Sequence, residues 1–270
     1  MPQKYLQVGD VATLIHHRGP TTLPGLAPDT GRGSTIICLH DAGYNGRQFD
    51  DLSDRLAAGA SPLAYDQPGH GRSGSLDALP SVAAMVDHLA SIVTTWSLDD
   101  PVLIGDGLGA AVALEAASRY PDRVRGLVLL GGAASYELDE EIAALAAITS
   151  GKARRDFPRN GYAPDTDRAV YQKAFGNWVP TDPRATLGAR RAQADWALAD
   201  PPSAVPTMVV VGEHEDEPSA AGATALAERL AGATVTELAG AGRHGVLEQP
   251  ETLGATIADF AATLENGARS

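Results

Sequence analysis

From Val102 to Ala111 the chain reads Val-Leu-Ile-Gly-Asp-Gly-Leu-Gly-Ala-Ala, and an alanine-rich stretch continues to Tyr120. An apolar strand that enters a helix through so tight a turn needs small residues there. Glycine supplies the unusual backbone angles and the close strand–helix contact. Such a unit belongs to a sheet with helices packed on its faces. The rest of the chain repeats the theme. Short apolar segments at Val11 to His17, Thr35 to Leu39, Pro62 to Tyr65, Val124 to Leu130, Thr207 to Val211 and Val235 to Leu238 read as strands. Helical spacing of apolar residues appears at Phe49 to Leu56, Val82 to Trp96, Ala220 to Leu230 and Glu251 to Leu264. Strands alternating with helices predict an α/β fold with a mostly parallel central sheet flanked by helices.

One stretch breaks the alternation. Residues 135–201 carry helical patterns, few strand signals, and prolines at 158, 164, 180 and 183. They are expected to form a helical cap inserted into a core made of residues 1–134 and 202–270. Charge narrows the partners: 21 basic against 34 acidic residues leave the chain at −13, which argues against nucleic acid and anionic membrane. No apolar run reaches the roughly 20 residues that span a bilayer. The N-terminus lacks the basic-then-apolar layout of a signal peptide, so a cytoplasmic protein is expected. The single cysteine, Cys38, sits inside a strand pattern and reads as a buried hydrophobe. No phosphate loop and no metal-like cluster stands out, so no cofactor or metal is expected. The expected partner is a small-molecule substrate.

The turn at 105–109 resembles the nucleophile elbow G-x-S-x-G of the α/β-hydrolase family, in its small esterase- and lactonase-like branch. Other landmarks follow in the family's order. His40-Asp41-Ala42-Gly43 resembles the oxyanion loop, with Asp41 where a glycine is usual. Asp66 to Ser73 resembles the turn after the next strand, and its His70 reads as structural. Val211 to Pro218 resembles the strand end that supplies the triad acid. Gly240 to Pro250 resembles the loop that supplies the triad histidine. The resemblance covers nearly the whole chain and implies the α/β-hydrolase fold.

The departures bear on chemistry. Gly107 stands at the nucleophile position, so the resemblance implies an elbow with no hydroxyl to attack. Arg243 holds the usual histidine slot and His244 follows it. Glu215 and Asp216 both qualify as the acid that orients His244. Asp106 is a second-choice nucleophile, read first as a carboxylate at a helix N-terminus. The family's oxyanion hole would map to the backbone N–H groups of Ala42 and Leu108. Arg243 is a candidate to bind a substrate carboxylate, and Trp178 is a candidate wall residue of the pocket. His40 and Asp41 are further candidates for substrate contact, Asp41 also for a turn-stabilising role. The expected function is His244-based acid–base chemistry on a small carbonyl compound (polyketide-, ester- or lactone-like), of lyase, cyclase or dehydratase type. Two alternatives stand beside it: ester or lactone hydrolysis, through a serine-to-glycine variant or directly by water, and ligand binding without catalysis.

Overall fold

A computed structural model describes residues 2–267 except 21, 24, 25, 30, 203 and 204. Among the described residues eight strands form one sheet: β1 (Gln3–Val8), β2 (Val11–His17), β3 (Thr35–Leu39), β4 (Ser61–Tyr65), β5 (Val102–Asp106), β6 (Gly126–Leu130), β7 (Thr207–Gly212) and β8 (Thr234–Leu238). Their order is β1-β2-β4-β3-β5-β6-β7-β8. The neighbours from β4 to β8 all run parallel, whereas β2 pairs antiparallel with β4 and with β1. This is the α/β-hydrolase fold that the sequence implied.

The central strands are apolar without alternation because both faces are covered. Ile36 and Cys38 of β3 enter the core on one side, and Ile37 and Leu39 enter it on the other. One face is packed by α2 (Val82–Thr95), α3 (Leu108–Arg119) and α7 (Glu217–Arg229); the other by α1 (Asp50–Leu56) and α9 (Pro250–Gly267). Strand β1 was not expected. Its residues alternate exposed and buried along an edge, and Gln3, Lys4 and Gln7 hide the apolar signal.

Between β6 and β7 stand α4 (Asp139–Thr149), α5 (Arg168–Trp178) and α6 (Pro183–Ala194). An antiparallel bridge between Ser135 and Ala197 brings the two ends of this segment together. Asp167 and Asp182 cap α5 and α6 by accepting from Ala169 N and Arg184 N. A short helix, α8 (Gly245–Glu248), precedes α9. No helix among the described residues is long and apolar enough to cross a membrane.

The topology fixes where a ligand belongs. From β3 the chain turns outward to β4, then crosses back to place β5 on the other side of β3. The crevice beyond the carboxyl ends of β3 and β5 lies at this reversal, the usual binding position of an open parallel sheet. Asp41 follows β3 and Gly107 follows β5, so both stand at its floor.

Several histidines are buried as neutral rings. Burial lowers the pKa of His40, brings His70 down to about 3 and brings His88 down to about 4. A group depressed in the fold contributes stability above its unfolded value, here 6.5, and that stability is lost as pH falls toward the folded value. Urea unfolding at pH 7, 5.5 and 4.5 is therefore expected to show a loss on the order of several kcal/mol. A flat profile over that range would contradict the neutral assignment.

Candidate active site

Asp106 ends β5 inside the core and Leu108 opens α3, which leaves Gly107 to make the entire turn. Gly107 adopts φ 53° and ψ −108°, a left-handed backbone that a side chain would strain. Its N–H donates to Leu130 O on β6 at 3.0 Å. Its carbonyl accepts from the Tyr136 hydroxyl at 3.2 Å. The turn is therefore pinned from both sides.

The space above the turn is filled by charge. Asp41 Oδ1 accepts from Leu108 N at 2.9 Å, the first free amide of α3. Arg190, reaching down from α6, grips the same carboxylate with both terminal nitrogens, Nη1 to Oδ1 at 2.8 Å and Nη2 to Oδ2 at 3.0 Å. Arg243 Nη2 lies 3.6 Å from Asp41 Oδ2, and Arg243 Nη1 donates to Asp106 Oδ1 at 2.6 Å. Gln48 Nε2 donates to the other oxygen of Asp106. Arg190 Nε donates to Glu141 on α4 at 2.8 Å. Two arginines thus bridge the floor, helices α4 and α6 and the loop after β8 through Asp41, Asp106 and Glu141.

The electrostatics follow from this packing. Burial alone would raise the Asp41 carboxyl, but Arg190 and Arg243 beside it hold it well below the ordinary carboxylate range. The same burial raises Asp106, and there the opposing charge of Arg243 does not fully compensate. Glu215 is also raised by burial against the pull of Arg243. Both arginines stay protonated because Asp41 and, respectively, Glu141 and Asp106 outweigh the cost of burying them.

The site residues expected from the sequence divide accordingly. Asp41, Ala42, Trp178, Asp216, Arg243 and His244 line one cavity of about 640 Å³ between the floor and helices α4, α5 and α6, and Tyr44, Tyr136, Arg155 and Arg190 share its wall. Asp106 lies beneath it, tied to Arg243 and Gln48. It stands as a paired carboxylate, and a nucleophilic Asp106 would first have to break both bonds.

Four expectations meet a different arrangement. The Leu108 N–H expected in an oxyanion hole is taken by Asp41. Neither Glu215 nor Asp216 bonds to His244. Asp216 caps α7 by accepting from Ser219 N, and Glu215 Oε2 accepts from Gly212 N at 3.1 Å. Arg243, expected to bind a substrate carboxylate, is already paired with carboxylates of the chain. His40 is committed to backbone on both nitrogens: Nδ1 donates to Asp41 O at 2.8 Å and Nε2 accepts from Gln67 N at 2.9 Å. It is fully buried and has no face toward a ligand.

His244 itself stacks on Tyr162 with ring centroids 4.1 Å apart, and Tyr44 stands 6.2 Å away. Its Nε2 lies 3.3 Å from Asn160 O. A carbonyl only accepts, so this contact places the proton on Nε2 and the lone pair on Nδ1. Burial, reinforced by the Arg243 charge, lowers its pKa to about 4. Among the described residues no group of three or more His, Cys, Asp or Glu is placed to hold a metal ion.

Arg190, Glu141, Gln48 and Tyr44 were not singled out from the sequence. Arg190 is followed by Arg191 on an amphipathic helix, and only the packing tells the half-buried one from the exposed one. Tyr44 directly follows the Asp41–Gly43 loop, which was the one available signal.

Residues 36–256 match the alpha/beta hydrolase family. A 2-(acetamidomethylene)succinate hydrolase of Mesorhizobium japonicum is 27% identical over 218 residues, 75% of this chain and 78% of that protein. Solved structures share the fold, two of which serve as examples. One is a thermophilic esterase from Thermogutta terrifontis, with TM-score 0.79, 19% identity, and coverage of 98% of this chain and 99% of that one. The other is an enol-lactonase from Burkholderia xenovorans, with TM-score 0.77, 20% identity, and coverage of 96% and 99%.

Proposed function

Because the chain belongs to the alpha/beta hydrolase family, we propose that it is an enzyme of that fold which acts on a small, partly apolar carbonyl compound without an acyl-enzyme. In this reading Gly107 stands where the family has its serine nucleophile, and His244 acts as the base. One observation carries it: the cavity between floor and cap persists with a neutral histidine in its wall, while the elbow beneath holds no nucleophile and its first amide is occupied.

The chemistry follows from what remains available. His244 is neutral well below pH 7, so its Nδ1 lone pair is present as a base throughout the physiological range. A base this weak suits a substrate proton that is already acidic, such as one next to a carbonyl and conjugated to a second acceptor. The enolate oxygen then needs a donor other than Leu108. Tyr44 and Tyr162 supply phenols whose hydroxyl oxygens lie 3.5 Å apart beside His244. Burial raises both phenols, so they stay protonated and donate to developing charge. Elimination, isomerisation and cyclisation all begin with this proton transfer, and the substrate decides which follows.

The test is deuterium exchange from D2O into 2-methyl-substituted β-keto esters, followed by NMR. Wild type is expected to exceed buffer by about tenfold or more, and His244→Ala is expected to fall back to buffer. Exchange by the variant at the wild-type rate would overturn the assignment, as would a wild type no faster than buffer. A second reading, a ligand-binding protein without turnover, is favoured by the occupied Leu108 amide. It predicts saturable thermal stabilisation by the same compounds with no exchange.

A further inference from the structure

The carboxylate of Asp41 has the surroundings of a bound anion. Its partners come from three distant parts of the chain: Leu108 N at the start of α3 and Arg190 on α6 donate to it, and the Arg243 guanidinium, on the loop after β8, lies 3.6 Å away as an ion pair. No local turn explains them. The helix dipole and the free amide at the head of α3 favour a negative charge, and Arg190 engages that charge through both terminal nitrogens. Each arginine is also held from behind, Arg190 by Glu141 and Gln193, Arg243 by Asp106. The donors therefore keep their positions without help from Asp41. Gly107 supplies the room, since a Cβ there would lie 2.2 Å from Asp41 Oδ1.

We propose that the elbow is a carboxylate-binding site of acetate size, formed by the Leu108 amide, Arg190 and Arg243, and that Asp41 is its tethered resident ligand. This goes beyond the proton-transfer reading above and does not depend on any turnover by His244. Tethering gives Asp41 an effective concentration that a free carboxylate does not match. The native elbow is thus closed to anionic ligands. A substrate of the cavity presents a neutral group to this end, and carboxylate-bearing analogues are rejected there.

The experiment is chemical rescue of Asp41→Gly, which removes from the chain the equivalent of one acetate. Thermal unfolding is followed with sodium acetate, with acetamide as the neutral isostere, and with sodium chloride at equal ionic strength. The variant is expected to melt below wild type, to recover saturably with acetate, and to ignore acetamide and chloride beyond a common salt effect. Wild type and Asp41→Asn, whose side chain still fills the site, are expected to show no saturable response to acetate. Equal shifts by acetate and chloride in Asp41→Gly would overturn the proposal, as would an equal acetate response in wild type. If Asp41→Gly is recovered only unfolded, refolding in acetate against chloride becomes the readout, and equal yields overturn it. Because the readout is melting and not exchange, this result stands apart from the outcome for His244.

Discussion

Replacing Arg243 with methionine is expected to cost about 3–5 kcal/mol of stability at pH 7, because removing one partner of a buried ion pair strands the other. The stranded group is Asp106, which lies in the core with Arg243 and Gln48 as its side-chain partners. Asp41 loses a lesser contact and keeps Arg190. The pH dependence has a definite sign. The Asp106 carboxyl is already raised by burial above its ordinary 3.8 with Arg243 present, and it rises further without that charge. A carboxyl raised in the fold leaves stability intact below the unfolded value and removes it as pH climbs toward the folded one. The deficit of the variant should therefore be small near pH 4 and grow toward pH 7. Urea unfolding at both pH values measures it. A deficit under about 1 kcal/mol at pH 7 would mean that water or a rearranged neighbour satisfies Asp106.

Gly107→Ser carries the second large effect, and it argues against a simple lost hydroxyl. The added Cβ would meet Asp41 Oδ1 at 2.2 Å and Arg243 Nη2 at 2.6 Å. Side-chain ends usually yield to such a clash, but Asp41 is held by Leu108, Arg190 and Arg243 together. The backbone adds strain, since φ stands at 53°. Overpacking and left-handed strain together predict a loss of about 2–4 kcal/mol. In the double variant with Asp41→Gly the clash with Asp41 disappears, and the close approach to Arg243 Nη2 and the backbone strain remain. The two substitutions should therefore combine non-additively by about 1 kcal/mol or more, whereas independent sites would add. Urea unfolding of the two single variants and the double variant reads this coupling.

Much of the fold was legible because the central strands are apolar on both faces and separated by helical periodicity. The edge strand β1 was not, because half of its residues face solvent and read as polar chain. Within the site, Asp41, Gly107, Arg243 and His244 each stood out against the family pattern, and Asp106 stood out as a carboxylate beside the elbow. Their assembly did not. Asp41, after the central strand β3, meets Arg243, after the edge strand β8, and Arg190 joins them from a helix whose sequence gives it no distinction. The same limit explains the unmade His244 pair. Spacing allowed either Glu215 or Asp216, but Asp216-Glu217-Pro218 is also a helix start, and Asp216 serves the amide of Ser219 there.

In the proposed arrangement a seated carboxylate closes the elbow, which is not merely short of a hydroxyl. Folded Gly107→Ser, treated with diisopropyl fluorophosphate and read by intact mass with peptide mapping, tests it most directly. A closed elbow, with Leu108 N and both arginines already engaged, predicts no adduct at position 107. Stoichiometric phosphorylation at that position would show an open, working elbow and contradict the account.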